Sequence, residues 1–280
     1  MKYASFLRPT GAASFGRVQG DRLVDLGGGS SAAAPTDLRT ALATGALDKL
    51  AGGERYAIAD IVLLPVIPNP RKIFCVGHNY ESHRQETGRA KADHPSIFTR
   101  FADTLIAEGQ PIVRPLVSSN LDYEGELALV IGRGGRSISE QRALEHVAGY
   151  SCFNDASIRD WQWHTSQFTP GKNFPATGGF GPWLVTPDEA GDLSDVHVQT
   201  RLNGQVVQDQ AIGDMVFSIA RIIAYISAFT PLLPGDVIAT GTPGGVGAKR
   251  TPPLWMKAGD KVEVDIGPVG RLTNRVIDEE

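Results

Sequence analysis

With 280 residues, the chain is long enough for one large domain or two smaller ones with a substantial apolar core. Hydrophobic residues make up 41% and charged residues 21%, as in ordinary globular proteins, and a net charge of −4 without any basic block argues against a nucleic-acid partner. No apolar run reaches membrane-spanning length and the first residues lack a signal-type apolar segment, so we expect a cytoplasmic protein without a membrane partner.

Residues 1–66 are predicted to form a small N-terminal α+β module. Strand-like segments at 13–18 and 22–26 flank a glycine-containing turn, which is a hairpin signal. Thr36 is placed to cap a short helix over residues 37–42. Because the module contains no cluster of acids, bases or nucleophiles, we assign it a structural role.

A proline-rich connector at residues 65–70 marks the change to a second domain, which we expect over residues 70–280. The two cysteines of the chain, Cys75 and Cys152, both lie in apolar, strand-like segments of this domain. Two cysteines are too few for a disulfide framework or a zinc site, so we expect buried free thiols.

The second domain opens with a strand predicted over residues 71–77, and His83 and Glu86 follow it. Residues three apart meet on a helical turn, so the carboxylate could orient and polarise the imidazole, an arrangement that activates water. A pair with this spacing is also common on solvated helices, and the pattern leaves both interpretations open. The polar segment that follows, residues 87–94, is predicted to be a mobile lid.

An acidic segment at residues 122–131 reads as a buried strand. Alternate residues of a strand share a face and lie about 6.5–7 Å apart, so Glu124 and Glu126 project side by side while Gly125 leaves the opposite face bare. Two carboxylates on one face of an apolar strand repel each other and are costly to bury, a conflict that a hard divalent cation such as Mg²⁺ resolves. The alternative is a solvated strand end.

Two further candidate groups follow the acidic strand. Asp155 ends an aromatic-rich strand and offers a third oxygen ligand, with Arg159 and Gln162 within the next two turns. Lys172 lies between a glycine and aromatic residues, where partial desolvation would suit it to stabilising a developing negative charge. By itself it could equally be an ordinary loop lysine.

The remaining signals describe a domain with many strands and few helices. A capping box predicts a helix over residues 137–149, and Asp214 is placed to cap another helix with an apolar stripe. Residues 198–208 read as two strands about an Asn-Gly turn. Residues 233–247 read as a strand that enters a glycine-rich loop, whose amides and Thr242 hydroxyl could bind a carboxylate.

Taken together, these residues resemble the fumarylacetoacetate hydrolase family over residues 70–275. The resemblance is specific because several motifs occur in one order along the chain. They are residues 72–80 with His83 and Glu86, then 122–126, 154–160, 171–172 and 241–247.

The resemblance implies a mixed β-rich α+β fold, a β-sandwich roll that carries a small N-terminal module, and a homodimer. It also implies a cofactor, Mg²⁺ or Mn²⁺, and a role for each matching side chain. The metal ligands would be Glu124, Glu126 and Asp155, the catalytic residues His83, Glu86 and Lys172, and the substrate-binding residues Tyr80, Arg159, Gln162 and Thr242.

The function implied by the resemblance is cleavage of a C–C bond in an acylpyruvate or other 2,4-diketo acid, with fumarylpyruvate as one substrate. His83, oriented by Glu86, would activate water, and Lys172 would stabilise the resulting enolate. The alternatives on the same chemistry are oxaloacetate decarboxylation, carboxymethyl-hydroxymuconate isomerisation and sugar-acid dehydration. A binding module for keto acids is the non-enzymatic alternative.

Two residues depart from the family pattern. Arg100 stands where relatives often carry lysine, and His78 is an unusual neighbour for the Gly-x-Asn-Tyr turn. We expect both to alter substrate selection without touching the metal ligands.

Overall fold

The computed structural model describes residues 1–27, 34–45 and 47–280. Its α-helices, in chain order, are α1 Leu38–Thr44, α2 Glu81–Glu86, α3 Arg159–Gln162, α4 Thr169–Lys172, α5 Pro187–Ala190 and α6 Ile219–Phe229. Its strands are β1 Lys2–Leu7, β2 Ala13–Gln19, β3 Arg22–Asp25, β4 Arg55–Ala57, β5 Val62–Leu63, β6 Ile73–Gly77, β7 Ser96–Arg100, β8 Leu105–Ile106, β9 Ile112–Arg114, β10 Leu121–Asp122, β11 Gly125–Ile131, β12 Val147–Asp155, β13 Ser157–Ile158, β14 Gly178–Val185, β15 His197–Leu202, β16 Gln205–Ala211, β17 Val237–Ala239, β18 Lys261–Asp265 and β19 Arg271–Asp278.

Most strands belong to one large sheet, in the order β4-β3-β2-β1-β14-β12-β11-β17-β6-β7, with β5 on β1 and β8 on β14. The acidic strand β11 lies inside this sheet, antiparallel to both β12 and β17. All seven of its residues are buried, as expected for a run of apolar β-formers between two neighbours. Its alternate residues enter two different cores: Leu127 and Leu129 pack with Val198, while Ala128 and Val130 pack on the other face.

A second sheet, in the order β16-β15-β18-β19-β9, lies close to one face of β11. Gly125 is required at this approach, because a Cβ atom there would lie 2.0 Å from Oγ1 of Thr200 on β15. The bare face predicted at Gly125 is thus the face on which the second sheet packs. Glu124 and Glu126 are left to project on the opposite side of the strand.

Both predicted hairpins are confirmed. Strands β2 and β3 pair so that Gln19 lies opposite Arg22. Strands β15 and β16 pair around Asn203 and Gly204, both of which have positive φ, as a tight turn of this kind requires. Both cysteines are buried and free, as expected.

Three predicted helix starts are wrong. Helix α1 is capped by Asp37, whose Oδ1 accepts a hydrogen bond from Thr40 N at 2.7 Å, and not by Thr36. The capping box at 137–149 yields only a 3₁₀ segment, Glu140–His146. Asp214 ends another 3₁₀ turn, and helix α6 begins after Ser218.

For the helices predicted at 137–149 and after Asp214, pairing with distant segments overrides the local sequence signal. Gly149, the expected end of the first helix, pairs within β12, and a Cβ atom there would lie 2.4 Å from Val185 O. Residues after Asp214 stay extended because Val216 N donates to Asn79 O at 2.8 Å.

The N-terminal strands extend the large sheet, since β1 pairs antiparallel with β14. The division of the chain at residues 66–70 stays a prediction. Within the described ranges, no helix combines the length and the apolar character that a membrane span requires.

Candidate active site

Three buried carboxylates meet where β11 and β12 lie side by side. Glu126 belongs to β11, Asp155 ends β12, and the main chains of the two strands are joined by a hydrogen bond from Asp155 N to Glu124 O of 2.9 Å. The carboxylate oxygens of Glu124, Glu126 and Asp155 lie within 4.8 Å of one another. Sequence reasoning selected these three residues, and the fold brings them together.

Two cationic side chains hold Glu124. Lys172 Nζ lies 2.5 Å from Glu124 Oε2 and 2.6 Å from Asp155 Oδ2, and it also donates to Asp155 O at 3.3 Å. Arg159 Nη2 lies 2.7 Å from Glu124 Oε1. Burial alone would raise the pKa of Glu124, but Arg159 and Lys172 outweigh it and hold that pKa well below its usual range.

Asp122 and Arg100 complete this buried network. Asp122 accepts from Arg159 Nε at 2.8 Å and from the amides of Gly247 and Ala248 at 2.8 and 3.0 Å, so it ties the arginine to the glycine-rich loop. Arg100 Nη1 lies 2.6 Å from Asp155 Oδ1. The expectation that Arg100 would not touch the predicted metal ligands is therefore wrong, because the arginine is buried directly against Asp155.

Glu126 is the member of the cluster without a cationic side chain within ion-pair distance, among the residues that the structure describes. Its Oε2 accepts a hydrogen bond from Gly241 N at 2.8 Å. Burial, followed by the charges of Asp155 and Glu124, raises the pKa of Glu126 well above its usual value. The cluster therefore carries an uncompensated buried carboxylate.

This donor set fits a hard divalent cation. Mg²⁺ and Mn²⁺ prefer carboxylate oxygens, and a cation near Glu126 would offset both the burial and the repulsion that raise its pKa. Glu124, Glu126 and Asp155 would hold such an ion, which would supply Lewis-acid polarisation of a bound carbonyl group.

The His83–Glu86 pair lies on helix α2. His83 Nδ1 is 2.7 Å from Glu86 Oε1, and Glu86 Oε2 accepts from Gly245 N at 2.9 Å, so the glycine-rich loop fixes the carboxylate. His83 is only 5% exposed. The solvated-helix alternative is therefore excluded. With Nδ1–H donating to Glu86, Nε2 becomes the basic nitrogen of the ring.

A cavity of about 110 Å³ connects the dyad to the carboxylates. Seven of the predicted site residues line it, namely His83, Glu124, Glu126, Arg159, Gln162, Lys172 and Thr242. Glu86 lies behind His83, and Asp155 lies behind Lys172. Tyr80 is fully buried outside the cavity wall, and its hydroxyl has no hydrogen-bond partner among the described residues.

Like Arg159, two other predicted substrate-binding side chains form hydrogen bonds within the protein. Thr242 Oγ1 donates to Gly125 O at 2.9 Å and accepts from Gln208 Nε2 at 2.8 Å. Gln162 Oε1 accepts from Arg159 Nη1 at 2.9 Å. Sequence reasoning missed Gln208, because it lies on the exposed-looking strand β16 and gives no local signal of being buried.

His78 lines the cavity beside the dyad. Its ring stacks on that of His83, with centroids 5.1 Å apart and planes at 18°. Its φ of 55° places a non-glycine residue in the left-handed region, a strained conformation that concentrates at functional sites. Burial, followed by His83 and Arg89, lowers the pKa of His78 to about 4, so this ring is neutral near pH 7.

Fold and site together define a class of β-rich proteins with a buried carboxylate cluster and a His–Glu pair beside it. A sequence profile described as fumarylacetoacetate hydrolase C-terminal matches residues 72–277. The chain is 42% identical over 221 residues to oxaloacetate tautomerase fahd2, mitochondrial, of Xenopus laevis, covering 78% of this chain and 69% of the relative. It is 41% identical over 230 residues to oxaloacetate tautomerase YisK of Bacillus subtilis, covering 80% and 76%.

Among solved structures, a fumarylacetoacetate hydrolase from Exiguobacterium antarcticum superposes with a TM-score of 0.85 at 35% identity, covering all of both chains. The chain therefore belongs to the fumarylacetoacetate hydrolase family. Its mixed, β-rich α+β fold is that of the family, as the sequence predicted.

Proposed function

We propose that this protein is a Mg²⁺- or Mn²⁺-dependent enzyme that interconverts the keto and enol forms of a small 2-oxo dicarboxylic acid, with oxaloacetate as the leading candidate. The observation that carries the proposal is a buried His–Glu dyad that faces a small cavity walled by a carboxylate cluster. The names of the two curated relatives support oxaloacetate as the substrate.

The dyad would move the proton. Nε2 of His83 would take a proton from the carbon next to the 2-oxo group, while Glu86 keeps the ring oriented and stabilises the imidazolium. Returning that proton to the 2-oxo oxygen would give the enol, so that no atom is gained or lost. The proton would move in the opposite direction in the reverse reaction.

Lys172 would stabilise the enolate through its charge. Burial alone would lower the pKa of Lys172, but Asp155 and Glu124 outweigh it and raise the pKa, so the ammonium stays protonated through neutral pH. A fixed positive charge in a buried site stabilises developing negative charge without reorganisation. The binding-only alternative does not account for a water-excluded base beside this cation.

The size of the cavity favours a small substrate. Sites for drug-sized ligands enclose about 300–1,000 Å³, whereas this cavity encloses about 110 Å³. A four-carbon diacid suits this volume better than an acylpyruvate with a long acyl group. Of the predicted lid, residues 87–94, Thr87 and Arg89 line the cavity, and these two would have to be displaced to admit a larger molecule.

C–C hydrolysis of an acylpyruvate, the function first expected from the sequence, is the second candidate. The same His83 could take a proton from water instead of from carbon, and the Exiguobacterium relative carries the name of a hydrolase. The two candidates differ in whether a carbon–carbon bond breaks.

The deciding experiment follows enol formation from oxaloacetate by ultraviolet absorbance, with Mg²⁺ and after chelation. Pyruvate release is measured on the same samples and on acetylpyruvate. We expect metal-dependent tautomerisation that His83→Ala lowers by about 10²–10⁴-fold. His94→Ala is the matched control, because His94 stacks on Tyr225 outside the cavity.

Three results would change the assignment. Rapid cleavage of acetylpyruvate with slow tautomerisation would favour the hydrolase, and metal-dependent pyruvate release from oxaloacetate would favour a decarboxylase. No acceleration of any of these reactions would refute an enolate enzyme.

The homodimer and the cytoplasmic location stay proposals, and light scattering in solution would test the homodimer.

A further inference from the structure

Two cationic residues line the open side of the cavity. Arg89 lies in the predicted lid, and Lys249 follows the glycine-rich loop by two residues. Both are exposed although they line the same cavity as buried His83 and Lys172. The two side chains therefore belong to the entrance rather than to the floor.

Each of them rests on an aromatic ring. The Arg89 guanidinium lies 6.0 Å from the centroid of Phe168, and Lys249 Nζ lies 5.8 Å from that of Trp163. A cation over an aromatic face is held weakly by the ring and keeps its N–H donors available. Phe168 and Trp163 also line the cavity, so they hold the two cations beside it.

Neither entrance cation is paired with an acid. Arg100, Arg159 and Lys172 on the floor each contact a buried carboxylate. Across the described part of the chain, by contrast, no carboxylate lies within ion-pair distance of Arg89 or Lys249. Two unpaired cations at the entrance of a small cavity create a positive potential that attracts an anionic group.

We propose that Arg89 and Lys249 bind the second, distal carboxylate of the substrate and thereby restrict the enzyme to 2-oxo diacids. The proposal rests on the proposed function, in which the 2-oxo acid end of the substrate occupies the floor of the cavity. Val76, Phe98 and Val246 also line the cavity and carry no charge, and His78 is neutral near pH 7, so these four residues do not compete with the two cations for an anion. A monoacid would leave both cations without a partner.

Binding of two unreactive ligands isolates this contribution. Malate and lactate share a 2-hydroxy acid end and differ in that malate has a distal carboxylate. Calorimetry in saturating Mg²⁺ gives the ratio of their dissociation constants for wild type, Arg89→Met, Lys249→Met and the double variant. Methionine keeps length and apolar contact with the ring while removing the charge.

We expect wild type to bind malate more tightly than lactate. The ratio of the two dissociation constants should change about tenfold in each single variant, and most of the preference should be lost in the double variant. Lactate affinity should stay unchanged, and Arg89→Lys should retain part of the preference. The matched control is Lys91→Met, which removes a cation two residues from Arg89 that does not line the cavity. Its malate-to-lactate ratio should equal that of wild type.

A parallel assay compares kcat/KM for oxaloacetate and its 4-ethyl ester, in which the distal charge is absent. The double variant should lose activity on the diacid and keep its activity on the ester. A wild type without preference for malate, or a double variant with an unchanged ratio, would overturn the proposal even if oxaloacetate is tautomerised. A preference that depends on Arg89 and Lys249 in a protein that does not tautomerise oxaloacetate would refute the proposed function and support this assignment.

Discussion

Replacement of Glu126 by glutamine tests whether the carboxylate cluster is a metal site. Glu126 is the cluster member whose charge is not compensated by a cationic side chain among the described residues, and its carboxylate is held by the Gly241 amide at 2.8 Å. Glutamine has the same shape and can accept the same hydrogen bond, but it removes the charge. Glu126→Gln should therefore leave the metal-free protein as stable as wild type or more stable, because a buried repulsion disappears.

The effect of metal on stability should be lost in the same variant. At a Mg²⁺ concentration 100 times the dissociation constant, binding stabilises the wild-type fold by about 2.7 kcal/mol. For a chain of 280 residues this corresponds to a rise in Tm of about 5 °C, because 1 kcal/mol shifts the Tm of large domains by about 2 °C. Glu126→Gln should show a rise below about 1 °C at that concentration.

The assay is a thermal melt over a Mg²⁺ titration, repeated with Mn²⁺. Glu108→Gln is the matched control, because Glu108 is a half-buried acid outside the cluster, and its Oε2 accepts a hydrogen bond from Thr273 N at 2.6 Å. The control should keep the full rise in Tm. An equal rise in Glu126→Gln and wild type would remove Glu126 from the ligand set and refute the charge argument.

Three further predictions test the packing, the pH dependence and the enolate. Gly125→Ala should destabilise the fold by about 1–3 kcal/mol in urea unfolding, because the new Cβ would lie 2.0 Å from Thr200 Oγ1. Combining it with Thr200→Ala should restore part of the loss, and strictly additive losses would contradict the clash. Burial, with a contribution from the charge of Glu263, raises the pKa of Glu108 from 4.5 to about 7, so the contribution of Glu108 to the stability of wild type should fall as pH rises from about 4.5 to 7. The free energy of unfolding of Glu108→Gln should thus rise relative to that of wild type by about 1–2 kcal/mol between pH 5 and pH 8, a figure reduced because Glu108 is partly exposed. A difference in stability that does not change with pH would contradict the raised pKa of Glu108. With Mg²⁺ present, calorimetry should show that oxalate, which resembles an enolate, binds up to about 10²-fold tighter than pyruvate. Lys172→Met should weaken the binding of oxalate more than that of pyruvate. Equal losses of affinity for both ligands would mean that Lys172 only holds Glu124 and Asp155 and does not stabilise the enolate.

The sequence by itself determined the elements whose causes are local. The period of two in residues 124–130 places both glutamates on one face of a strand. The spacing of three between His83 and Glu86 brings their side chains together on a helical turn, and the Asn-Gly turn sets the β15–β16 hairpin. These features depend on backbone periodicity and turn chemistry, which a short segment carries with it.

Tertiary structure decided what depends on distant partners. Arg100 contacts Asp155 across 55 residues, and Asp122 joins Arg159 to the amides of a loop more than 120 residues away. The helix expected at 137–149 gave way to strand pairing at its end, because Val147 and Gly149 lie opposite Ile131 and Val130 of strand β11. The packing of separate segments around one cavity determines which cation meets which carboxylate. It also leaves Arg89 and Lys249 at the entrance without an acid partner among the described residues, and no local pattern indicates either result.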